Sequence, residues 1–222
     1  EEELSEHARK IRERLAELTQ RLEVVFPVYL LFSKCDLLDG FVETFGGYGS
    51  RERAQMWGFT MPYMQSSGGS IADQFDNEID ALQSRLAAER LHNLAAAKSK
   101  SKKAKIFSFP MQFAMIKARL RSFLAQLDQP NPYHESSDFR GVYFTSGTQE
   151  GQPFDQVLAN MRNACGLTEE EDSALEEKAD KKAYFIDDLF TDVVFPDKEL
   201  ARSSAAAEKR RGLVRRIGMI AS

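Results

Sequence analysis

Two short turns carry the groups of this chain best suited to reading a ligand. The first, Ser33-Lys34-Cys35-Asp36, follows directly on the apolar run Pro27-Val-Tyr-Leu-Leu-Phe32. A lysine stem in such a turn can lie flat along a purine, and an aspartate two residues later can accept two hydrogen bonds from a guanine edge. The second turn, Thr145-Ser146-Gly147, closes the run Arg140-Gly-Val-Tyr-Phe-Thr145. Its small residues let the main chain approach a base and offer a backbone N–H to a carbonyl on it. Place matters as much as residue type, because open α/β sheets bind ligands beyond the carboxyl ends of their strands. The plain structural alternative for Asp36 is a helix cap through the N–H of Leu38 or Asp39.

The flanking sequence supplies elements to hold these turns. Residues 1–23 are highly charged, with Ile11, Leu15, Leu18 and Leu22 on one face of an amphipathic helix. A strand is expected at about 27–32, with Pro27 at its start where a missing N–H is tolerated. Leu37 to Phe45 reads as a short helix ending in Gly46-Gly47. Ser50 reads as the cap of another that runs through Trp57. A loop over Thr60–Ser70 leads to a long helix from Ile71 to about Ala97, carrying Ile71, Phe75, Ile79, Leu82, Leu86 and Leu91. The lysine run Lys98–Lys105 reads as a solvated linker. A helix over about 111–127 follows, burying Phe113, Ile116, Leu120, Phe123, Leu124 and Leu127. A second strand at 140–145 comes after the polar loop Asp128–Asp138, and Pro153 suits the first turn of a helix to about Asn163. Beyond Gly166 an acid-rich stretch at 169–188 leads to an apolar-acidic helix, Tyr184–Phe195, stopped by Pro196.

This order predicts an α/β fold: part of a doubly wound domain of the P-loop GTPase kind, with long helical insertions and a C-terminal helical extension. Residues 1–165 would be the C-terminal part of an NTPase-like domain with its insertion at about 71–128. Residues 166–222 would be the extension, acidic then basic, leading towards a membrane span. Two strands do not make a stable sheet, so further strands are expected outside the chain. A mostly helical fold with a small sheet is the competing architecture. In GTPases, turns like these two follow neighbouring strands, so both should stand side by side on one rim. The phosphate cradle G-x-x-x-x-G-K-[ST] is absent from the sequence. No hydrolysis is expected from this stretch alone, and no catalytic residue stands out.

Bulk properties narrow the class. The 222 residues carry a net charge of −4, which argues against a general nucleic-acid binder. Cys35 and Cys165 make no disulfide framework, and His7, His92 and His134 are too scattered for a metal site. No secretory signal is present, and no apolar run approaches the roughly 18 residues that a span needs. The chain opens at Glu1 within a helical pattern, which predicts a segment of something longer. Near its end Lys209, Arg210, Arg211, Arg215 and Arg216 precede rising apolar content, as on the cytoplasmic flank of a membrane span. The alternative there is an ordinary charged helix end.

Four motifs in order resemble one family. They are Pro27-Val-Tyr-Leu-Leu-Phe-Ser-Lys-Cys-Asp36 with its continuation to Phe45, Trp57-Gly58-Phe59-Thr60, Arg140 to Gly151, and Phe185-x-x-Asp-Leu-Phe-x-x-Val-Val-Phe-Pro196. Together they are similar to the IcmF/TssM family of bacterial type VI secretion, over roughly residues 1–216. The resemblance implies a cytoplasmic region, between the second and third spans, of an inner-membrane component. It implies a scaffold and docking role in the membrane complex, with TssL and TssJ as partners and the baseplate protein TssK below. It implies no cofactor in this stretch. GTP or ATP with Mg²⁺ would come only with a phosphate loop further upstream, and the alternative function is then a working NTPase. Ser33 stands where GTPases have Asn or Thr, and Gly147 where they have Ala, so base identity stays open. A stand-alone helical regulator unrelated to secretion is the third reading.

Overall fold

The computed structural model describes residues 2–61, 71–129, 137–147, 183–205 and 207–208. Mixed helix and sheet is the observed class. A three-stranded sheet forms the centre, from β2 (Pro27–Phe32), β4 (Asp138–Phe144) and β3 (Gly58–Thr60) in the order β2-β4-β3. β2 and β4 are parallel, from Pro27 opposite Asp138 to Phe32 opposite Phe144. A small antiparallel ribbon joins β1 (Val24–Val25) to β5 (Arg202–Ser203).

Helices cover one face of the sheet. α4 (Ile71–Ala96) and α5 (Lys100–Leu127) form an antiparallel pair, and α1 (Glu2–Leu22) lies along α5. Phe113 of α5 meets Phe144 edge-on with ring centroids 5.0 Å apart, and Phe123 meets Phe32 at 6.3 Å. Phe75 of α4 sits 6.1 Å from Phe59 of β3. Two short helices, α2 (Phe41–Phe45) and α3 (Ser50–Ala54), fold beneath them. Phe41, Phe45, Trp57 and Phe185 complete an aromatic core whose members are nearly all closed to solvent. Each fully buried ring of this kind stabilises the fold by about 1.5–3 kcal/mol. On the sheet's other face lie Tyr29 and Tyr143, covered by Leu189 and Val193 from the π-helical segment Leu189–Val194.

Several expectations need correcting. The lysine run is no linker. α5 starts at Lys100, capped by Ser99, whose Oγ accepts from the Lys102 N–H at 3.1 Å. The helix continues through Pro110, although a mid-helix proline costs about 3 kcal/mol. Ile106 and Phe109 extend the apolar stripe of Phe113 back by two turns, and both are fully buried, which offsets that cost. α3 ends at Ala54 rather than Trp57, because the chain then turns extended to form β3 against β4. That pairing demands Gly58: a Cβ there would lie 2.3 Å from the Val142 carbonyl oxygen. The helix expected over Leu37–Phe45 divides into a 3₁₀ turn, Cys35–Leu37, and α2, because Gly40 adopts φ +88° between them. Leu91, near the end of α4, is 73% exposed. The last helical segment does end ahead of Pro196, at Val194, but Pro196 is not a plain stop. It takes the first position of a 3₁₀ turn, Pro196–Leu200, where its missing N–H costs nothing. The segment begins at Asp187, since Tyr184 bridges to Ser146 and Phe185 takes φ 64°. The helix expected at 153–163, most of the acidic stretch and the cluster at 209–216 lie outside the described residues.

A bulge in β4 builds a partly buried ion pair. Val28 faces Phe139 and Tyr29 faces Gly141, so Arg140 is the extra residue. Its Nε donates to Asp197 Oδ2 at 2.9 Å, and its Nη1 donates to the Met61 carbonyl. Tyr29 donates its hydroxyl to the same Asp197 oxygen at 2.5 Å. Burial, and then Asp197, push the Tyr29 phenol up. Burial alone would raise the Asp197 carboxyl, but the bonds from Arg140 and Tyr29 outweigh it and hold it below the ordinary aspartate range.

A carboxyl lowered on folding stabilises above its unfolded pKa and loses that contribution as pH falls through the folded one. Asp197→Ala, which strands Arg140 in a largely buried place, should cost roughly 3 kcal/mol in urea denaturation at pH 7. The gap to the wild type should hold down to about pH 5 and close below about pH 4.

Candidate functional site: the rim at the ends of β2 and β4

Parallel pairing brings the two turns together. Past the last ladder pair, Thr145 N–H donates to the Phe32 carbonyl at 2.9 Å and Cys35 N–H to the Thr145 carbonyl at 3.1 Å. The turn then tightens through Lys34, which adopts a left-handed φ of 60°. That kink drops Cys35 and Asp36 inward while Ser33 and Lys34 stay exposed. Ser146 is wholly buried, and its hydroxyl donates to Asp36 Oδ1 across the strand junction. The five residues singled out at this rim therefore sit together: Ser33, Lys34 and Gly147 outward, Asp36 and Ser146 tied beneath them. The lysine run touches the rim's flank, where Lys105 Nζ lies 3.2 Å from Glu43 and 3.5 Å from Asp39.

Asp36 does not cap a helix. The 3₁₀ turn has no side-chain cap, and the Leu38 N–H donates to the Cys35 carbonyl instead. Among the described residues, the Asp36 carboxylate takes one side-chain hydrogen bond, from Ser146. Its other oxygen can still accept. Ser146 is fully used, because its N–H donates to the Tyr184 carbonyl at 3.1 Å and its own carbonyl accepts from Tyr184 at 2.7 Å. Gly147 follows as an exposed residue with open space where a Cβ would stand. What the rim offers is thus an oriented carboxylate oxygen, a flexible ammonium and an approachable main chain. That set can recognise the edge of a heterocycle. It contains no nucleophile paired with a base. Among the described residues, no group of three or more His, Cys, Asp or Glu side chains is placed to hold a metal ion.

Sequence reasoning missed the strap at Tyr184–Phe185. The Phe185 N–H donates to the Arg53 carbonyl at 2.6 Å, and Arg53 lies over the Tyr184 ring at 5.8 Å. A residue of positive φ between two aromatic-rich segments leaves no periodic signal to read. It also overlooked the role of Cys35, whose thiol donates to the Phe32 carbonyl at 3.1 Å. Burial pushes that thiol up to about 12.

The profile of the IcmF-related N-terminal domain matches residues 1–222. The chain belongs to the IcmF-related family. The type VI secretion system component TssM1 of Pseudomonas aeruginosa is 37% identical over 207 residues, which is 92% of this chain and 18% of the relative. The IcmF/TssM resemblance carried by the four motifs is thereby established, and the chain spans less than a fifth of that relative's length. No solved structure matches.

The thiol at the rim gives a direct readout. With Cys165 replaced by serine, Cys35 should resist alkylation at pH 8, where only about one thiol in ten thousand would be ionised. Asp36→Ala should speed the reaction at least tenfold by loosening the turn, as measured by intact mass against time.

Proposed function

We propose that this region is a scaffold and docking module of the inner-membrane part of a type VI secretion apparatus, held at the cytoplasmic side. The 37% identity to TssM1 across nearly the whole chain carries that reading. Among the described residues no helix is long and apolar enough to cross a membrane, so membrane attachment would come through other parts of the protein. TssL and TssJ would be its companions in the membrane complex, and the baseplate protein TssK would meet it from below. The basic residues Lys209, Arg210, Arg211, Arg215 and Arg216 would face the anionic headgroups.

A surface suited to docking runs along α5. Phe107, Met111 and Met115 are 57%, 67% and 68% exposed and stand one turn apart on one side of the helix. Exposed Lys100 and Lys103 continue the same stripe. Methionines adapt to a partner's contours, and the lysines would select one with acidic residues beside its apolar patch. Phe107→Glu with Met111→Glu changes exposed side chains, and Arg90, which lies over the Phe107 ring at 4.8 Å, can pair with the carboxylate introduced there. The variant should melt within about 2 °C of the wild type, yet lose co-purification of TssK and export by the apparatus. Unaltered capture and export would remove α5 as the docking face.

The rim supports a second reading, part of an active NTPase. The bond between Ser146 and Asp36 leaves the aspartate aimed and half free, as a base-reading carboxylate should be. GTP or ATP with Mg²⁺ would then be held at its base end by Lys34, Asp36 and Gly147, and a phosphate loop would be carried outside these residues. Labelled nucleotide titrated into the longest native form separates the readings. Submillimolar binding abolished by Asp36→Ala supports the enzyme, and no binding supports the scaffold alone.

A further inference from the structure

We propose that the outer seam between α4 and α5 is the seat of a third helix, amphipathic and partly acidic, contributed by another protein. The proposal rests on the docking role given to α5 above and narrows it: α4 becomes the second wall, and the partner's conformation is fixed. Cross-helix contacts set the register of the pair. Arg121 Nε donates to Asp76 at 2.5 Å, Lys117 Nζ donates to Asp80 at 2.5 Å, and Arg90 lies over the Phe107 ring at 4.8 Å. Each step along α4 is thus matched by an equal step back along α5. Ser84, Ala87 and Leu91 follow Asp80 by four, seven and eleven residues, and so share the side of α4 that borders α5. Phe107, Met111 and Ala114 form the matching row on α5.

In this register Leu91 stands beside Phe107, Ala87 beside Met111, and Ser84 beside Ala114. The stretch is about 15 Å long, roughly three helical turns. It is not part of the core, towards which α4 turns Phe75, Ile79, Leu82 and Leu86, and α5 turns Phe109 and Phe113. Leu91, Phe107, Met111, Ser84 and Ala87 are all exposed, and Ala114 is half-buried.

The side chains say what covers the seam. Ala87, Leu91, Phe107, Met111 and Ala114 offer no hydrogen-bond donor and no strong acceptor. A strand or loop laid on them would leave its own N–H and C=O groups unsatisfied, whereas a helix satisfies them internally. Small residues at Ser84, Ala87 and Ala114 let a helix axis approach to about 8–10 Å, while Leu91, Phe107 and Met111 form apolar walls. Charge marks the two ends. Exposed Lys98, Lys100, Lys102 and Lys103 crowd the end beside Leu91 and Phe107. Of that run, Lys105 alone has acidic partners among the described residues, Asp39 and Glu43. The Asp80–Lys117 pair closes the other end. The occupant therefore carries acids in the turn that lies over the lysines. An anionic membrane would suit those lysines too, but it would meet the exposed carboxylates of Asp73 and Asp80 along the same side.

The test uses the full-length protein in its native membranes. Ala87, Leu91 and Met111 are replaced one at a time by the photo-crosslinker benzoylphenylalanine, with exposed Arg85, on another side of α4, as the control. All four side chains are exposed, so the fold should tolerate the change. Adducts are then mapped residue by residue by mass spectrometry. The three seam positions should couple to one other protein, at sites three, four or seven residues apart in a single acidic segment. The control should yield at least tenfold less. Lys100→Glu with Lys102→Glu and Lys103→Glu should lower the seam yield at least tenfold, and the corresponding arginine variant should retain it. Adducts to lipid, to a second copy of this chain or to alternate residues of the partner would overturn the proposal, as would no adduct at all. Coupling from Met111 with Ala87 and Leu91 silent would also overturn it, while leaving α5 alone as a docking face.

Discussion

Six residues of β2 lie alongside β4 in parallel, and that pairing determines where everything else can go. Parallel neighbours need a crossover, and here the crossover carries α2, α3, β3 and the α4–α5 pair before the chain returns to β4. The same pairing lines up two turns that are more than a hundred residues apart, so that the Ser146 hydroxyl reaches Asp36. Burying a carboxylate is costly unless it is hydrogen-bonded, and this bond is what makes the inward kink at Lys34 tolerable. Below the rim the aromatic core clamps β4 from one side, and Asp197 with Arg140 fastens the other.

Much of this arrangement is legible in the residues. β2 matches its apolar run from Pro27 to Phe32, and α4 follows its spacing from Ile71 to Leu86. Both are elements whose burial pattern is their sequence pattern. The errors share a cause: tertiary contacts outvote local signals. Lysines and Pro110 argue against a helix, yet Ile106 and Phe109 pull that segment into the core as one. Trp57-Gly58-Phe59-Thr60 is too short to show alternation, and becomes a strand only because β4 is there to receive it. In α1 the spacing correctly marks a helix but misplaces its contact face, because Ala8 and Thr19 are the residues it buries while Ile11, Leu18 and Leu22 stay exposed. At the site, the two turns were visible from type and place, whereas the Tyr184–Phe185 strap that closes over Ser146 had no sequence signature.

Membership in the IcmF-related family and the rim geometry bear on different questions. Family membership ties the chain to the IcmF-related proteins, and a type VI secretion component is similar to it over nearly the whole chain. At the rim, the Asp36 carboxylate is positioned by the Ser146 hydroxyl. A scaffold can retain such a bond for stability alone, since it closes the ends of two strands. The presence of the Asp36–Ser146 pair thus explains the fold whichever use the complete protein makes of it.

The central claim is that this pair couples the two strand ends, and a double-mutant cycle measures it most directly. Stability of wild type, Asp36→Asn, Ser146→Ala and the double variant, taken from urea denaturation at pH 7, yields the interaction energy. The account predicts a coupling of about 1–3 kcal/mol, as expected for a buried hydrogen bond to a charged group. Additive losses, within about 0.3 kcal/mol, would show that the turns merely lie near each other and would contradict it.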